Sequence, residues 1–162
     1  MEKTILNKEK RSHVFTIDRI RYENEMTSSF IMKESLEGEP GQFLLLWLPG
    51  VGEKPFSIAG THPLVVTVAD VGKLTHEIHA LKPGDRVWIR GPFGQGYQAY
   101  GTDALLVGGG YGASPLLFLA QALIEKGIRV QVFLGARTKD LLILKDQFEE
   151  LPLKIYITTN DG

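Results

Sequence analysis

At 162 residues the chain has room for one large domain or two small ones. Its net charge of -1 gives no electrostatic footprint for nucleic acid or an anionic membrane, and no apolar run approaches the roughly 20 residues of a spanning helix. There is no cysteine, which excludes disulfides, thiolate nucleophiles and cysteine-held zinc or iron–sulfur clusters within this chain.

Residues 1–12 are polar and too charged for a signal peptide, so a cytoplasmic protein is expected. From His13 onward Val14, Thr16 and Asp18 alternate with Phe15, Ile17 and Arg19, the period of a strand with two faces. A second strand is expected over 28–33, followed by a charged turn over 34–39. Pro40 and Gly41 open a strongly apolar strand over 42–48, and Pro49 and Gly50 close it. Two short strands follow, over 56–59 and 64–69. Residues 72–81 change period: Leu74, Ile78 and Leu81 fall at helical spacing until Lys82-Pro83-Gly84-Asp85 stops them. Residues 86–90 form the last strand of this half. Six short strands with regular turn signals and one short helix predict an antiparallel β-barrel over 1–98.

The second half, 102–162, reads strand, helix, strand, helix, strand. The strands are expected over 104–107, 129–134 and 154–158. One helix is expected over 115–126, with Ser114 as N-cap, Pro115 at its first position and Gly127 closing it. A second helix is expected over 139–150. This order predicts a three-stranded parallel sheet, part of a Rossmann-like nucleotide domain. So few strands leave an exposed sheet edge, which either something covers or a longer chain completes.

Chemistry concentrates in three places. Gly108, Gly109, Gly110 and Gly112 sit between a buried strand and a helix start, where glycines admit an anion to free N–H groups. Gly108, Gly110 and Ala113 match a Gly-x-Gly-x-x-Ala pattern, but the acidic residue usual after the second strand is replaced by Arg137. That arginine suits a 2′-phosphate, a pyrophosphate or plain solvation. The simpler alternative for the glycines is close packing of strand against helix. Lys54-Pro55-Phe56-Ser57 groups a cation, a rigid ring, an aromatic face and a hydroxyl, features a flat polar ring with a phosphate tail would use. A routine strand start explains them on spacing alone. Gly72-Lys73-Leu74-Thr75 opens the short helix, and its N–H groups could take a second phosphate, or Thr75 could simply cap it. His76 and His79 share a helix face, yet their spacing is not that of a zinc-binding His-Glu-x-x-His helix, so no metal is expected.

The order of these pieces, with Leu81-Lys82-Pro83-Gly84-Asp85, the Gly91 to Tyr97 linker Gly-Pro-Phe-Gly-Gln-Gly-Tyr, Leu134-Gly135-Ala136-Arg137 and Thr158-Thr159-Asn160-Asp161-Gly162, resembles the ferredoxin–NADP reductase superfamily. Within it the chain is most similar to the electron-transfer subunits of class 1B dihydroorotate dehydrogenases. The resemblance implies an FAD-binding barrel and an NAD(P)H-binding half. The run Lys54, Pro55, Phe56 and Ser57 would hold the flavin, Lys54 near its phosphate or ribityl tail and Ser57 near its ring. Thr67, Val68 and Ala69 would run along the cofactor, and Gly72, Lys73, Leu74 and Thr75 would hold its pyrophosphate. Gly108, Gly109, Gly110, Gly112 and Pro115 would face the nicotinamide nucleotide, with Arg137 and Asp161 at its other end. The implied activity is hydride transfer from NAD(P)H to FAD, with no catalytic acid or base, and electron delivery to a redox partner subunit or acceptor protein. A homodimer or a hetero-oligomer fits that role. Two departures stand out. Lysine replaces the family's usual arginine at position 54, a point charge for a planar fork. The family subgroup's four-cysteine iron–sulfur cluster is missing. The competing expectations are a non-catalytic fragment that binds a nucleotide or a partner, and a flavin reductase with exchangeable flavin.

Overall fold

A computed structural model describes residues 11–162, and the expectation for residues 1–10 lies outside them. Alternating apolar residues build the first half into antiparallel strands: β1 (His13–Asn24), β2 (Thr27–Met32), β3 (Phe43–Leu48), β4 (Gly52–Ser57), β5 (Gly60–Thr61), β6 (Leu64–Ala69) and β7 (Arg86–Phe93). They form one sheet in the order β4-β3-β7-β1-β2-β6-β5. The six expected strands are therefore joined by a two-residue seventh, β5. The long strand β1 curls the sheet: His13 to Thr16 pair with β7, and the stretch from Ile17 to Asn24 pairs with β2. Phe15, Ile17, Phe30, Leu44, Leu46, Val66 and Ile89 fill the interior. Helix α1 (Lys73–His79) closes one end by sending Leu74 and Ile78 into the same core.

One strand differs from expectation in a way that matters for the site. β4 starts at Gly52, not Phe56, and ends at Ser57. Gly50, with φ +79°, makes the tight turn out of β3, and Val51 N–H closes it onto Leu48 O at 3.0 Å. Pairing then runs Leu48 with Gly52 through Phe43 with Ser57. Lys54-Pro55-Phe56-Ser57 thus lies along a strand, at the edge of the sheet. An edge is where Pro55, lacking an N–H, leaves no ladder bond unmade. Arg90 on β7 grips the Glu53 carboxylate through Nε and Nη2, at 3.1 and 2.7 Å, and pins this edge.

In the second half β8 (Asp103–Gly109), β9 (Arg129–Ala136) and β10 (Lys154–Thr159) are parallel, in the order β10-β9-β8. The chain steps in one direction across this sheet, so right-handed crossovers place α2 (Ala113–Glu125) and α3 (Lys145–Glu149) on the same face. Leu106, Leu117, Ala120, Leu123, Val132 and Phe148 make the core there. The opposite face exposes Leu105, Val107, Phe133 and Tyr156, and the last two rings stack at 4.4 Å.

Helix α2 starts at Ala113 with Gly112 as N-cap, so Ser114 is its second residue and not the cap. The helix expected over 139–150 is reduced to a 3-10 turn, Lys139–Leu141, and α3. Between them Ile143 and Leu144 turn into the core at 3% and 4% exposure. Leu144 takes a left-handed conformation, φ 61°, to do so, which a continuous helix forbids.

Phe30 and Phe148 anchor separate cores and are almost fully buried. Truncating either to alanine is expected to cost about 3–5 kcal/mol, measured by urea unfolding followed by circular dichroism.

Candidate functional site

The C-terminal part of β4, the end of β6, the entry to α1 and the turn after β8 meet around a cleft of about 310 Å³. Lys54, Pro55, Phe56 and Ser57 form one wall, and Thr67, Ala69, Val71 and Thr75 line the barrel side next to it. Tyr111, Gly112, Ser114 and Pro115 come from the other half of the chain. The volume is near the lower end of the ~300–1,000 Å³ usual for ligand sites, enough for one flat ring system with its substituents leading out.

Nine of the residues singled out from the sequence line this cleft: Lys54, Pro55, Phe56, Ser57, Thr67, Ala69, Thr75, Gly112 and Pro115. Val68 and Leu74 point the other way, into the barrel core, at 1% and 5% exposure. Only the main chain of Leu74 is left to meet a ligand. Gly72 sits at the rim: a Cβ built there comes 3.9 Å from Lys54 Nζ. The Lys54 ammonium therefore lies beside the start of α1, where the N–H groups of Lys73, Leu74 and Thr75 precede the first helical bond, His76 N–H to Gly72 O at 2.8 Å. Placed together, these two positive features suit an anion.

Thr75 shapes that rim. Its Oγ1 accepts from Val71 N–H at 3.0 Å and Gly72 N–H at 2.9 Å, and donates to Gly72 O at 2.8 Å. This is the returning half of a capping box, with a glycine in place of the capping side chain. The hydroxyl is spent on the turn, so it is the N–H groups that remain for a ligand.

The four glycines divide by role. A Cβ on Gly108 would overlap the Leu116 side chain. One on Gly109 would stand 2.5 Å from the carbonyl oxygen of Gly135 on β9. These two keep strand, helix and neighbouring strand close, as the packing alternative has it. Gly110 has φ +54° and starts the 3-10 turn Gly110–Gly112. Gly112 has an ordinary φ of -68° and nothing within 4 Å of where a Cβ would be, so its missing side chain leaves open space in the cleft.

Arg137 and Asp161 are outside the cleft, at the C-terminal ends of β9 and β10, the same edge at which Gly109 ends β8. Open α/β sheets bind ligands beyond this edge. Asp161 accepts from Lys139 N–H at 3.2 Å through both oxygens, and Asn160 N–H donates to Arg137 O at 3.2 Å. The Thr159 hydroxyl, then Lys139 N–H, hold the Asp161 carboxyl below the usual carboxylate range. His76 and His79 bond different groups, the Asp70 carboxylate at 3.0 Å and Val68 O at 2.9 Å. They do not converge on a metal.

Three lining residues escape the sequence reading. Val71 and Tyr111 are 71% and 64% exposed, apolar surface offered to the cleft mouth. An aromatic held between glycines was the available signal for Tyr111. Ser114 is expected as the helix cap. It is instead 3% exposed, and its Oγ lies 2.5 Å from Thr67 Oγ1 across the two halves of the chain.

No family model matches the chain. It is 38% identical over 146 residues to a probable dihydroorotate dehydrogenase B (NAD(+)) electron transfer subunit of Methanocaldococcus jannaschii, covering 90% of this chain and 56% of that protein. It is 43% identical over 149 residues to the protein of the same name from Thermococcus kodakarensis, covering 92% and 63%. The chain thus spans about three-fifths of the length of these relatives. The solved structure of an NADH-dependent reduced ferredoxin–NADP oxidoreductase, described for flavin-based electron bifurcation, superposes with a TM-score of 0.83 at 34% identity over 94% of this chain and 59% of that one. Phthalate dioxygenase reductase, at 18% identity and a TM-score of 0.82 over 93% of this chain and 52% of that one, shares the fold. The resemblance read from the order of motifs is borne out. The chain is a relative of these electron-transfer subunits and has the fold of the ferredoxin–NADP reductase superfamily.

Substitution separates the two kinds of glycine. Gly109→Ala is expected to destabilise the protein by about 1–3 kcal/mol in urea unfolding, because backbone must shift. Gly112→Ala is expected to change stability by no more than about 0.5 kcal/mol while narrowing the cleft, read as weaker nucleotide or flavin uptake.

Proposed function

We propose that this chain is the flavin- and nicotinamide-binding part of an electron-transfer protein, with residues 1–98 holding FAD and residues 102–162 holding NAD(P)H. The observation that carries this reading is the cleft itself. On an edge strand Phe56, which leans on the barrel core, and the exposed Ser57 line the same cleft as the glycine turn. The fit to FAD rests on three features: room where Gly112 lacks a Cβ, the exposed Ser57, and the Lys54 ammonium beside the unbonded N–H groups that open α1.

In this reading Phe56 and Pro55 support the ring and Ser57 hydrogen-bonds its edge. Lys54 and the N–H groups of Lys73, Leu74 and Thr75 neutralise the phosphates. The turn over 110–112 brings the nicotinamide to the ring, and Arg137 and Asp161 meet the far end of the dinucleotide. FAD, when bound, supplies the hydride acceptor and the onward release of electrons. The chain's own work is positioning and electrostatics, which need no acid or base. With no cysteine it holds no iron–sulfur cluster of its own. Electrons would pass to a redox partner subunit, and the relatives' names point to a dihydroorotate-oxidising flavoprotein. The cytoplasm, where NADH is supplied, is the proposed place of action, although the structure itself says only that no described helix is long and apolar enough to cross a membrane.

The second reading is a non-catalytic nucleotide- or partner-binding protein. The exposed face with Leu105, Val107, Phe133 and Tyr156 favours it, being surface that a partner would cover.

The purified protein with added FAD separates the two. The flavoprotein reading expects a yellow complex whose colour bleaches with NADH or NADPH under anaerobic conditions. It also expects Ser57→Ala to weaken FAD binding about 2–12-fold, the equivalent of one hydrogen bond. A protein that takes up no FAD, or flavin binding and reduction unchanged in Ser57→Ala, counts against the assignment.

A further inference from the structure

Three hydroxyls run from a buried position on the outer face of the barrel sheet to the wall of the cleft. Ser29 is on β2, Thr67 on β6 and Ser114 on the first turn of α2. Ser29 Oγ lies 2.8 Å from Thr67 Oγ1, which lies 2.5 Å from Ser114 Oγ. Ser29 is 0% exposed and Ser114 3%, while Thr67 and Ser114 both line the cleft.

Each hydroxyl carries one proton, so three hydroxyls joined by two hydrogen bonds have one proton left over. It belongs to whichever end the chain points toward, unless both serines donate to Thr67, an arrangement that forgoes the mutual polarisation of a head-to-tail chain. If Ser114 donates to Thr67 and Thr67 to Ser29, the spare proton is on Ser29. That side chain is sealed from solvent, and among the described residues its only hydrogen bond is to Thr67. A buried donor without an acceptor carries the full desolvation cost. If Ser29 donates to Thr67 and Thr67 to Ser114, the spare proton is on Ser114, at the cleft. A helical serine can also return its proton to the carbonyl four residues back, here Gly110, but no such bond is present among the described residues.

We propose that the hydroxyl chain is polarised outward, so that Ser114 presents a hydrogen-bond donor to the cleft, with Ser29 as the positioning residue that sets the direction. Ser114 then selects a flat heterocycle whose edge carries an acceptor at that point, a ring nitrogen or a carbonyl oxygen, and disfavours one that carries an N–H there. This rests on the flavin reading of the cleft and adds to it a donor contributed by the other half of the chain.

The test is FAD titration of the full chain, following affinity and the visible flavin band, with far-ultraviolet circular dichroism as the control for folding. Ser114→Ala is expected to weaken FAD binding about three- to tenfold and to shift the band, whereas Ser114→Thr keeps both near the parent values. Ser29→Ala, remote from the cleft, is expected to shift the band in the same direction with about a twofold loss of affinity. A purely structural Ser29 would leave the band where it was. Should Ser29→Ala fail to fold, Thr67→Val cuts the same chain at nearly constant volume and carries the same expectation. If the parent binds FAD and Ser114→Ala matches it in band and affinity, the donor role is overturned. If Ser114→Ala responds but neither Ser29→Ala nor Thr67→Val moves the band, the directional role is overturned. If the parent itself takes up no FAD, the flavin reading fails and this inference falls with it.

Discussion

The contact between β6 and the first turn of α2 is the constraint on which the site depends. Thr67 belongs to the antiparallel sheet and Ser114 to the helix that covers the parallel one, and their hydroxyls meet at 2.5 Å. A second polar tie, Asn24 Nδ2 to Leu141 O at 3.2 Å, holds the two halves together elsewhere. Neither half contains the cleft by itself. The barrel gives the wall with Lys54 to Ser57, and the glycine turn gives the wall opposite. Each stands on its own core. The cleft between them has room for one flat ring system with its substituents leading out.

The glycine loop illustrates why a fingerprint alone is weak. Gly109 is needed because a Cβ would strike the Gly135 carbonyl, Gly108 spares the tip of the Leu116 side chain a shift, and both would be true of a protein that bound nothing. Gly112 is different, since neither backbone strain nor protein contact requires glycine there. What its hydrogen atom preserves is empty space. The same short run thus serves packing at one end and access at the other.

The parallel sheet has an asymmetry that follows from its topology. Because the strands advance in one direction, both helices fall on one face, and the other keeps Leu105, Val107, Phe133 and Tyr156 in the open. Parallel sheets are ordinarily covered on both faces. The chain matches about three-fifths of the length of its relatives.

Much of this protein was legible in its sequence. The period-two runs identify the strands of the barrel, and apolar segments alternating with a 3.6-residue period give the parallel half. Both signals are local consequences of which side chains must be buried. The order of Lys54-Pro55-Phe56-Ser57, the helix start at Gly72 and the glycine turn carried the family resemblance. Where local cues competed with burial, they misled. Ser114 before Pro115 looks like a cap, yet the helix begins earlier because Ser114 is drawn against Thr67. Residues 139–150 have helical spacing, yet Ile143 and Leu144 leave the helix to fill the core. Only the tertiary structure decided which glycines keep space for a ligand and that Tyr111 and Ser114 line the cleft. These are facts about pairs of residues far apart in the chain. No local period encodes them, because they arise only when two separately folded sheets are set against each other.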